Sequence, residues 1–115
     1  MPLNTHQPSF DRDAAMARVG GDTALLRELA DLFNEECPRS LAQLHEALAQ
    51  QDSTAVEHLA HGLKGSVANF GAQPAVDAAL ELEKLGREAR LAEAPQALTT
   101  LEHALATLQT ELAAL

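Results

Sequence analysis

The sequence predicts an all-α protein, an antiparallel four-helix bundle with a short extra helix at the N-terminus. Two observations support this fold class. Hydrophobic residues make up 46% of the 115 residues and are mostly alanine and leucine, whereas aromatic residues make up 3%; this composition favours helix over strand. Apolar residues also recur three and four positions apart along four long segments, as on one face of an α-helix. A chain of this length is expected to form one domain around one core.

The first two predicted helices follow a polar segment. Residues 1–9 contain two prolines and no apolar periodicity, so we expect a flexible arm in front of a helical domain at residues 10–115. Asp11 begins a short helix that ends before Gly20-Gly21, since such a pair interrupts a helix. Asp22 is then a suitable N-cap for a long second helix. The apolar stripe of this helix consists of Leu26, Ala30, Phe33, Cys37, Leu41, Leu44 and Leu48.

Pro38 lies inside the stripe of the second helix. A proline removes one backbone donor and clashes with the preceding turn, which costs about 3 kcal/mol in a helix interior. The stripe nevertheless keeps its phase across this position, so we predict one bent helix rather than two.

The third and fourth helices begin at recognisable boundaries. The segment Asp52-Ser53-Thr54 precedes the third helix, where Thr54 and Glu57 fit a capping box. This helix is expected to run to about Phe70. Pro74 suits the first turn of the fourth helix, which we expect to end near Leu91.

The fifth helix is expected to begin within residues 93–95. It has the clearest apolar seam in the chain, with leucines alternately three and four positions apart. These are Leu98, Leu101, Leu105, Leu108, Leu112 and Leu115.

Composition and charge exclude several classes of function. A formal net charge of −9 disfavours nucleic acid as a partner, because no basic patch is present to release counterions from a phosphate backbone. No apolar run approaches the roughly 20 residues that cross a bilayer, and the N-terminus has no signal-peptide pattern. Cys37 is the only cysteine, so no intramolecular disulfide can form. We therefore expect a cytoplasmic protein with no membrane insertion.

His61 lies on the polar face of the third predicted helix. At about 100° per residue, Glu57, Lys64, Gly65 and Ala68 fall within about 60° of it. The apolar residues gather on the opposite side: Val56, Leu59, Ala60, Leu63, Val67 and Phe70. An outward imidazole beside a cation and two very small residues is accessible to another macromolecule.

The surroundings of His61 suit phosphoryl transfer. An imidazole near neutral pH is a good nucleophile, and its attack on a phosphoryl group gives a phosphoramidate that can pass the group on. Lys64, which we expect to be exposed, can place an ammonium beside the phosphoryl oxygens. Gly65 costs about 1 kcal/mol relative to alanine in a helix interior. The close approach of a partner would explain both this glycine and Gly62. The hydroxyl of Ser66 can donate a hydrogen bond to the carbonyl of Gly62.

Two other interpretations of His61 compete with this one. An exposed histidine on an amphipathic helix is usually an ordinary surface residue, although Lys64 and the two glycines weigh against that here. Glu57, His58 and His61 also share a face at spacings that could hold a metal ion. Three ligands without a fourth make a poor zinc site, so we expect no metal and no cofactor on this chain.

The segment Ala60-His61-Gly62-Leu63-Lys64-Gly65-Ser66, followed by Phe70-Gly71-Ala72, resembles the signature of histidine-containing phosphotransfer (HPt) domains. The resemblance covers roughly residues 10–112. It includes Gly20-Gly21-Asp22, Leu32-Phe33 shortly before Pro38, and Leu82-Glu83. Gly62 departs from the pattern, since the family often has threonine or another small polar residue there.

This resemblance implies a role for each residue of the motif. His61 would be phosphorylated on Nε2, Lys64 would assist electrostatically, and Gly65 would leave room for the partner. The domain would be a phosphoryl carrier without kinase activity of its own, taking the group from an aspartate of one receiver domain and passing it to another. Its partners would be response-regulator receivers, a hybrid sensor histidine kinase, or both, with Mg²⁺ supplied by the receiver. We expect a monomer.

Partner contacts are expected at Glu57, His58 and Ala68, where a small apolar surface is surrounded by charged residues. The sequence does not indicate which helix flanks His61. An alternative function also stays open, that of an interaction module that docks a receiver or another signalling protein without transferring anything. Such a docking surface would not need a nucleophile.

Overall fold

The computed structural model describes residues 10–115, and the arm expected at residues 1–9 lies outside the described residues. The described chain forms five α-helices and one 3₁₀ turn at Leu91–Glu93, with no strand. The predicted all-α fold class is therefore confirmed. The helices are α1 (Arg12–Arg18), α2 (Thr23–Ala49), α3 (Ser53–Ala68), α4 (Gln73–Arg87) and α5 (Ala94–Ala113).

The four long helices form a ring. Each of α2, α3, α4 and α5 packs against the next, and α5 closes the ring against α2. The connections between successive helices are short, so neighbours run antiparallel, as in other four-helix bundles. The short helix α1 packs on α2. No helix among residues 10–115 is both long enough and apolar enough to cross a membrane.

The core lies inside this ring and is almost entirely aliphatic. The leucine seam of α5 is buried from Leu98 to Leu112, and Leu115 is partly buried. Phe33 and Phe70 supply the aromatic contact, with ring centroids 5.7 Å apart in an edge-to-face arrangement. Cys37 is buried among these side chains, and burial raises the pKa of its thiol. It is a small apolar core residue, as its place in the stripe of α2 predicts.

Aspartate caps three of the helices. The side chains of Asp11, Asp22 and Asp52 each accept a hydrogen bond of 3.1 Å from the backbone N–H three residues onward. The first two caps agree with the sequence prediction. The capping box expected at Thr54 and Glu57 is wrong, because Asp52 caps α3 and Thr54 already lies in its first turn.

The sequence also predicted the continuity of α2 and the end of α4. The helix α2 is continuous through Pro38, as the unbroken stripe predicts. The expected end of α4 near Leu91 is wrong by one turn. Ala89 adopts a left-handed conformation (φ 56°), and the Arg90 N–H bonds to the Leu85 carbonyl at 2.9 Å. This Schellman arrangement ends the helix at Arg87 and directs the chain into the 3₁₀ turn.

Candidate functional site

His61 lies in the middle of α3 with 67% of its side chain exposed. The core residues Val56, Ala60, Leu63 and Val67 occupy the opposite face of the helix. The exposed position expected from helical periodicity is therefore observed. Side chains on a helix lean toward its N-terminus, so the ring lies over the turn that contains Glu57 and His58.

Glu83 is the partner of His61 that sequence reasoning did not assign. It lies on α4 and is 4% exposed, and it is the one buried charged residue among residues 10–115. Its Oε2 accepts a hydrogen bond of 3.0 Å from Nδ1 of His61 and another of 3.0 Å from Nη2 of Arg87. The carboxylate therefore ties the exposed imidazole to the neighbouring helix.

The second oxygen of Glu83 faces Lys64. The Lys64 Nζ lies 2.7 Å from Oε1, although the angles at this ion pair are outside those of a standard hydrogen bond. Only 27% of the Lys64 side chain is exposed. The expectation of an exposed lysine is therefore wrong, because its ammonium turns back toward the buried carboxylate.

This environment keeps Glu83 ionised. The contact with Lys64 lowers the pKa of Glu83 below its ordinary value, and the bond from His61 adds to that effect against the opposing influence of burial. An ionised carboxylate can only accept hydrogen bonds, so Nδ1 of His61 carries the proton. In the neutral ring the lone pair is then on Nε2, the nitrogen that points away from Glu83.

Arg87 links the two helices beside the site. Its Nε donates to Oε2 of Glu57 at 3.1 Å while its Nη2 reaches Glu83. The contact with Glu57 raises the pKa of Arg87 further, so the guanidinium stays charged. Glu57, which was expected to contact a partner, is thus engaged within the chain.

Gly86 sets the distance between α3 and α4 at this point. A Cβ at Gly86 would lie 2.6 Å from the backbone nitrogen of Glu57 and 2.9 Å from the carbonyl oxygen of Ser53. Only glycine lets the backbones approach this closely. Because Glu83 is one turn before Gly86 on α4, the same approach brings its carboxylate within reach of His61.

The two glycines beside His61 differ from Gly86. A Cβ at Gly62 or Gly65 would have no neighbour within 4 Å. Packing within the described chain therefore does not require glycine at either position, which is consistent with an approach kept open for a second molecule. Ser66 donates from Oγ to the Gly62 carbonyl at 3.2 Å, as expected.

The remaining candidates surround this site without joining its hydrogen bonds. His58 is exposed and Ala68 is partly exposed. Among residues 10–115, no three His, Cys, Asp or Glu side chains converge closely enough to hold a metal ion. The arrangement considered for Glu57, His58 and His61 is therefore not formed in the described chain.

An apolar surface on α2 faces the C-terminal end of α3. Leu25, Leu29 and Leu32 are exposed, Leu32 by 55%. A groove of about 510 Å³ is lined by Leu29 and Leu32 on one side and by Ser66 and Asn69 on the other. Sequence reasoning expected an apolar surface at Ala68 but missed these leucines, although their spacing of four and three forms a second stripe beside the core stripe of α2.

An exposed imidazole, held through Nδ1 on a helical bundle, is the arrangement expected from the resemblance to histidine-containing phosphotransfer domains. The chain belongs to this family, since the sequence model described as "Hpt domain" matches residues 28–111. Among solved structures, the chain is similar to histidine-containing phosphotransfer protein B (HptB) from Pseudomonas aeruginosa PAO1. The two share 27% identity over 93% of each chain, with a TM-score of 0.86. No curated protein sequence matches significantly.

Proposed function

We propose that this domain carries a phosphoryl group on Nε2 of His61 between the aspartates of two receiver domains. The observation that carries the proposal is the bond from Nδ1 of His61 to the buried Glu83 carboxylate. It leaves the lone pair on Nε2, in a ring that is two-thirds exposed. The supporting context is family membership, since Hpt domains are phosphoryl carriers of two-component phosphorelays.

The proposed step balances as a simple displacement. The Nε2 lone pair forms a bond to phosphorus while the bond between phosphorus and the receiver's aspartyl oxygen breaks, and the aspartate leaves as a carboxylate. The imidazole ring becomes cationic, with its Nδ1 proton directed at Glu83. A buried anion at 3.0 Å stabilises this developing charge more than water would. The reverse displacement delivers the group to a second receiver.

Lys64 and Gly65 have separate roles in this proposal. Lys64 lies one turn after His61 and is held at 2.7 Å from Glu83, so its ammonium is fixed beside the carboxylate that orients the His61 ring. Phosphoryl transfer depends mainly on positioning and charge neutralisation. Gly65 presents no side chain, which lets a partner approach the ring. The chain carries no phosphate-cradling motif for ATP, and we assign Mg²⁺ to the receiver.

We propose that the receiver docks over α2 and α3. Its contact would combine the apolar groove at Leu29 and Leu32 with His58 and Ala68, which lie on the His61 side of α3. An apolar centre with a polar rim is the usual composition of such interfaces. We propose that the bundle acts as a monomer, since it presents one such face. We place it in the cytoplasm, where receivers act.

The test is direct. The protein is incubated with a receiver domain carrying labelled aspartyl phosphate, and the label on the bundle is expected to be acid-labile and alkali-stable. The His61→Gln variant should take up none, whereas His103→Gln, a matched change of an exposed histidine on α5, should behave as wild type. Label retained in the His61 variant would defeat the site assignment. Receiver binding with no movement of label would favour the docking module instead.

A further inference from the structure

We propose that His58, when protonated, supplies the free positive charge that attracts the phosphoryl group to His61. This inference rests on the proposed function of His61 and adds a second residue to the same site. Its basis is the juxtaposition of the two imidazoles, together with the charge balance of the groups around them.

His58 and His61 face the same concavity. They are one helical turn apart on α3, where side chains three positions apart have Cβ atoms about 5–6 Å from each other. Both line an open concavity of about 400 Å³ between α3 and α4, together with Glu57, Gly62 and Glu83. Because the His61 ring leans toward the N-terminus of α3, a phosphoryl group on Nε2 would extend toward His58.

The other cations near His61 are already paired. Lys64 is 2.7 Å from Glu83, and Arg87 contacts both Glu57 and Glu83. These two cations balance these two carboxylates, so a phosphoryl group of about two negative charges meets no unpaired cation among them. The His58 imidazole is exposed and makes no hydrogen bond or ion pair with any residue from 10 to 115. It is therefore available to the incoming anion.

His58 can act in this way only when its imidazole carries a second proton. On its other side, His58 faces a groove against α2. Arg39 of α2 is in contact with Glu36, and Asp52 caps α3. The titratable and charged groups that face His58 from its own and the adjoining helices are Arg39, Glu46, Asp52, Glu57, His61 and Glu83.

Phosphoramidate is a suitable probe, because it phosphorylates imidazole without a receiver. The Nε2–phosphorus bond forms, the phosphorus–nitrogen bond of the donor breaks, and ammonia leaves. Initial rates of His61 phosphorylation are measured for wild type, His58→Gln, His58→Lys and the control His103→Gln. Each rate is divided by the neutral fraction of His61, obtained from its ring-proton NMR titration in the same variant.

At about pH 6, His58→Gln is expected to react about threefold more slowly than wild type, the factor given by a screened Coulomb attraction over about 6 Å in water. At about pH 8.5, where histidine is neutral, the two rates should coincide. His58→Lys should keep the faster rate at both pH values. Ionic strength of about 1 M should remove the differences.

The outcomes separate this inference from the proposed function. Equal rates for wild type and His58→Gln at both pH values, with label on His61, would overturn the role of His58 alone. Loss of rate in His58→Lys equal to that in His58→Gln would also overturn it, since a structural role does not distinguish charge. Label mapped to His58 in place of His61 would count against both proposals.

Discussion

Nδ1 of His61 and Oε2 of Glu83 lie 3.0 Å apart, although 22 positions separate them in the sequence. The His61 side chain is two-thirds exposed, whereas the Glu83 side chain is buried. The contact crosses from α3 to α4, and it combines an accessible nucleophile with an anion shielded from water.

Replacing Glu83 by glutamine should slow phosphoryl transfer by about tenfold. The amide can still accept the Nδ1 proton, but it lacks the charge that stabilises the cationic ring, and hydrogen bonds to charged groups contribute about 1.5–3 kcal/mol. The measurement is the transfer rate from a phosphorylated receiver. Glu81→Gln is the matched control, since Glu81 is exposed on the same helix. Unchanged transfer in Glu83→Gln would remove the carboxylate from the mechanism.

Acid should destabilise the wild-type bundle more than the Glu83→Gln variant. The pKa of Glu83 is lowered from the ordinary value of 4.5, so its carboxylate contributes stability above the unfolded-state pKa. That contribution is lost as pH falls from 4.5 through the lower folded-state pKa. Urea unfolding at about pH 3 and about pH 7 measures the difference. An equal acid dependence in the two proteins would contradict the lowered pKa.

Replacing Gly86 by alanine should destabilise the bundle by about 1–3 kcal/mol, the usual cost of overpacking. The added Cβ would lie 2.6 Å from the backbone of α3, so the two helices must separate. The bond from His61 to Glu83 should weaken with them. Urea unfolding gives the stability, and the His61 ring tautomer followed by ¹⁵N NMR reports the bond. A variant as stable as wild type would show that the contact at Gly86 adjusts without cost.

Replacing Gly65 by alanine should have opposite effects on stability and transfer. A Cβ there meets nothing within 4 Å, and alanine is favoured over glycine in a helix by about 1 kcal/mol, so the free energy of unfolding should rise. Transfer from a receiver should nevertheless slow, because the methyl group occupies the partner's approach. Phosphorylation by phosphoramidate should be unaffected, since this donor is small. Slowing with both donors would indicate a change in His61 itself.

Replacing Leu32 by glutamate should weaken receiver binding by about tenfold, which corresponds to about 1.4 kcal/mol. More than half of Leu32 is exposed, so the bundle should lose little stability. Titration calorimetry with a receiver domain measures the affinity. Ala106→Glu places the same charge at an exposed position of α5, a helix that packs on α2 and α4 rather than on α3. Equal affinities for the two variants would move the docking surface away from α2.

Local patterns predicted most of the secondary structure and the exposed position of His61. Helical periodicity depends only on neighbours within a few turns, so it identified the core stripes and the continuity of α2 through Pro38. Residue type identified Asp11 as a helix start and Asp22 as an N-cap. Local signals gave the wrong result at two helix ends, the start of α3 and the end of α4. Thr54 was predicted to cap α3, but the side chain of Asp52 caps it instead. The left-handed conformation of Ala89 ends α4 earlier than the composition of that helix indicates.

The motif around His61 was likewise readable from the sequence alone, because it is contiguous and occupies a single helix. What only the tertiary structure decided was the set of groups that come to it from elsewhere. A helical wheel gives the direction in which a side chain points but not the helix that it meets. The pairing of α3 with α4, made close by Gly86, placed Glu83 and Arg87 beside His61 and turned Lys64 inward. Long-range packing thus determined the charge that the nucleophile experiences, whereas local sequence determined that it is exposed.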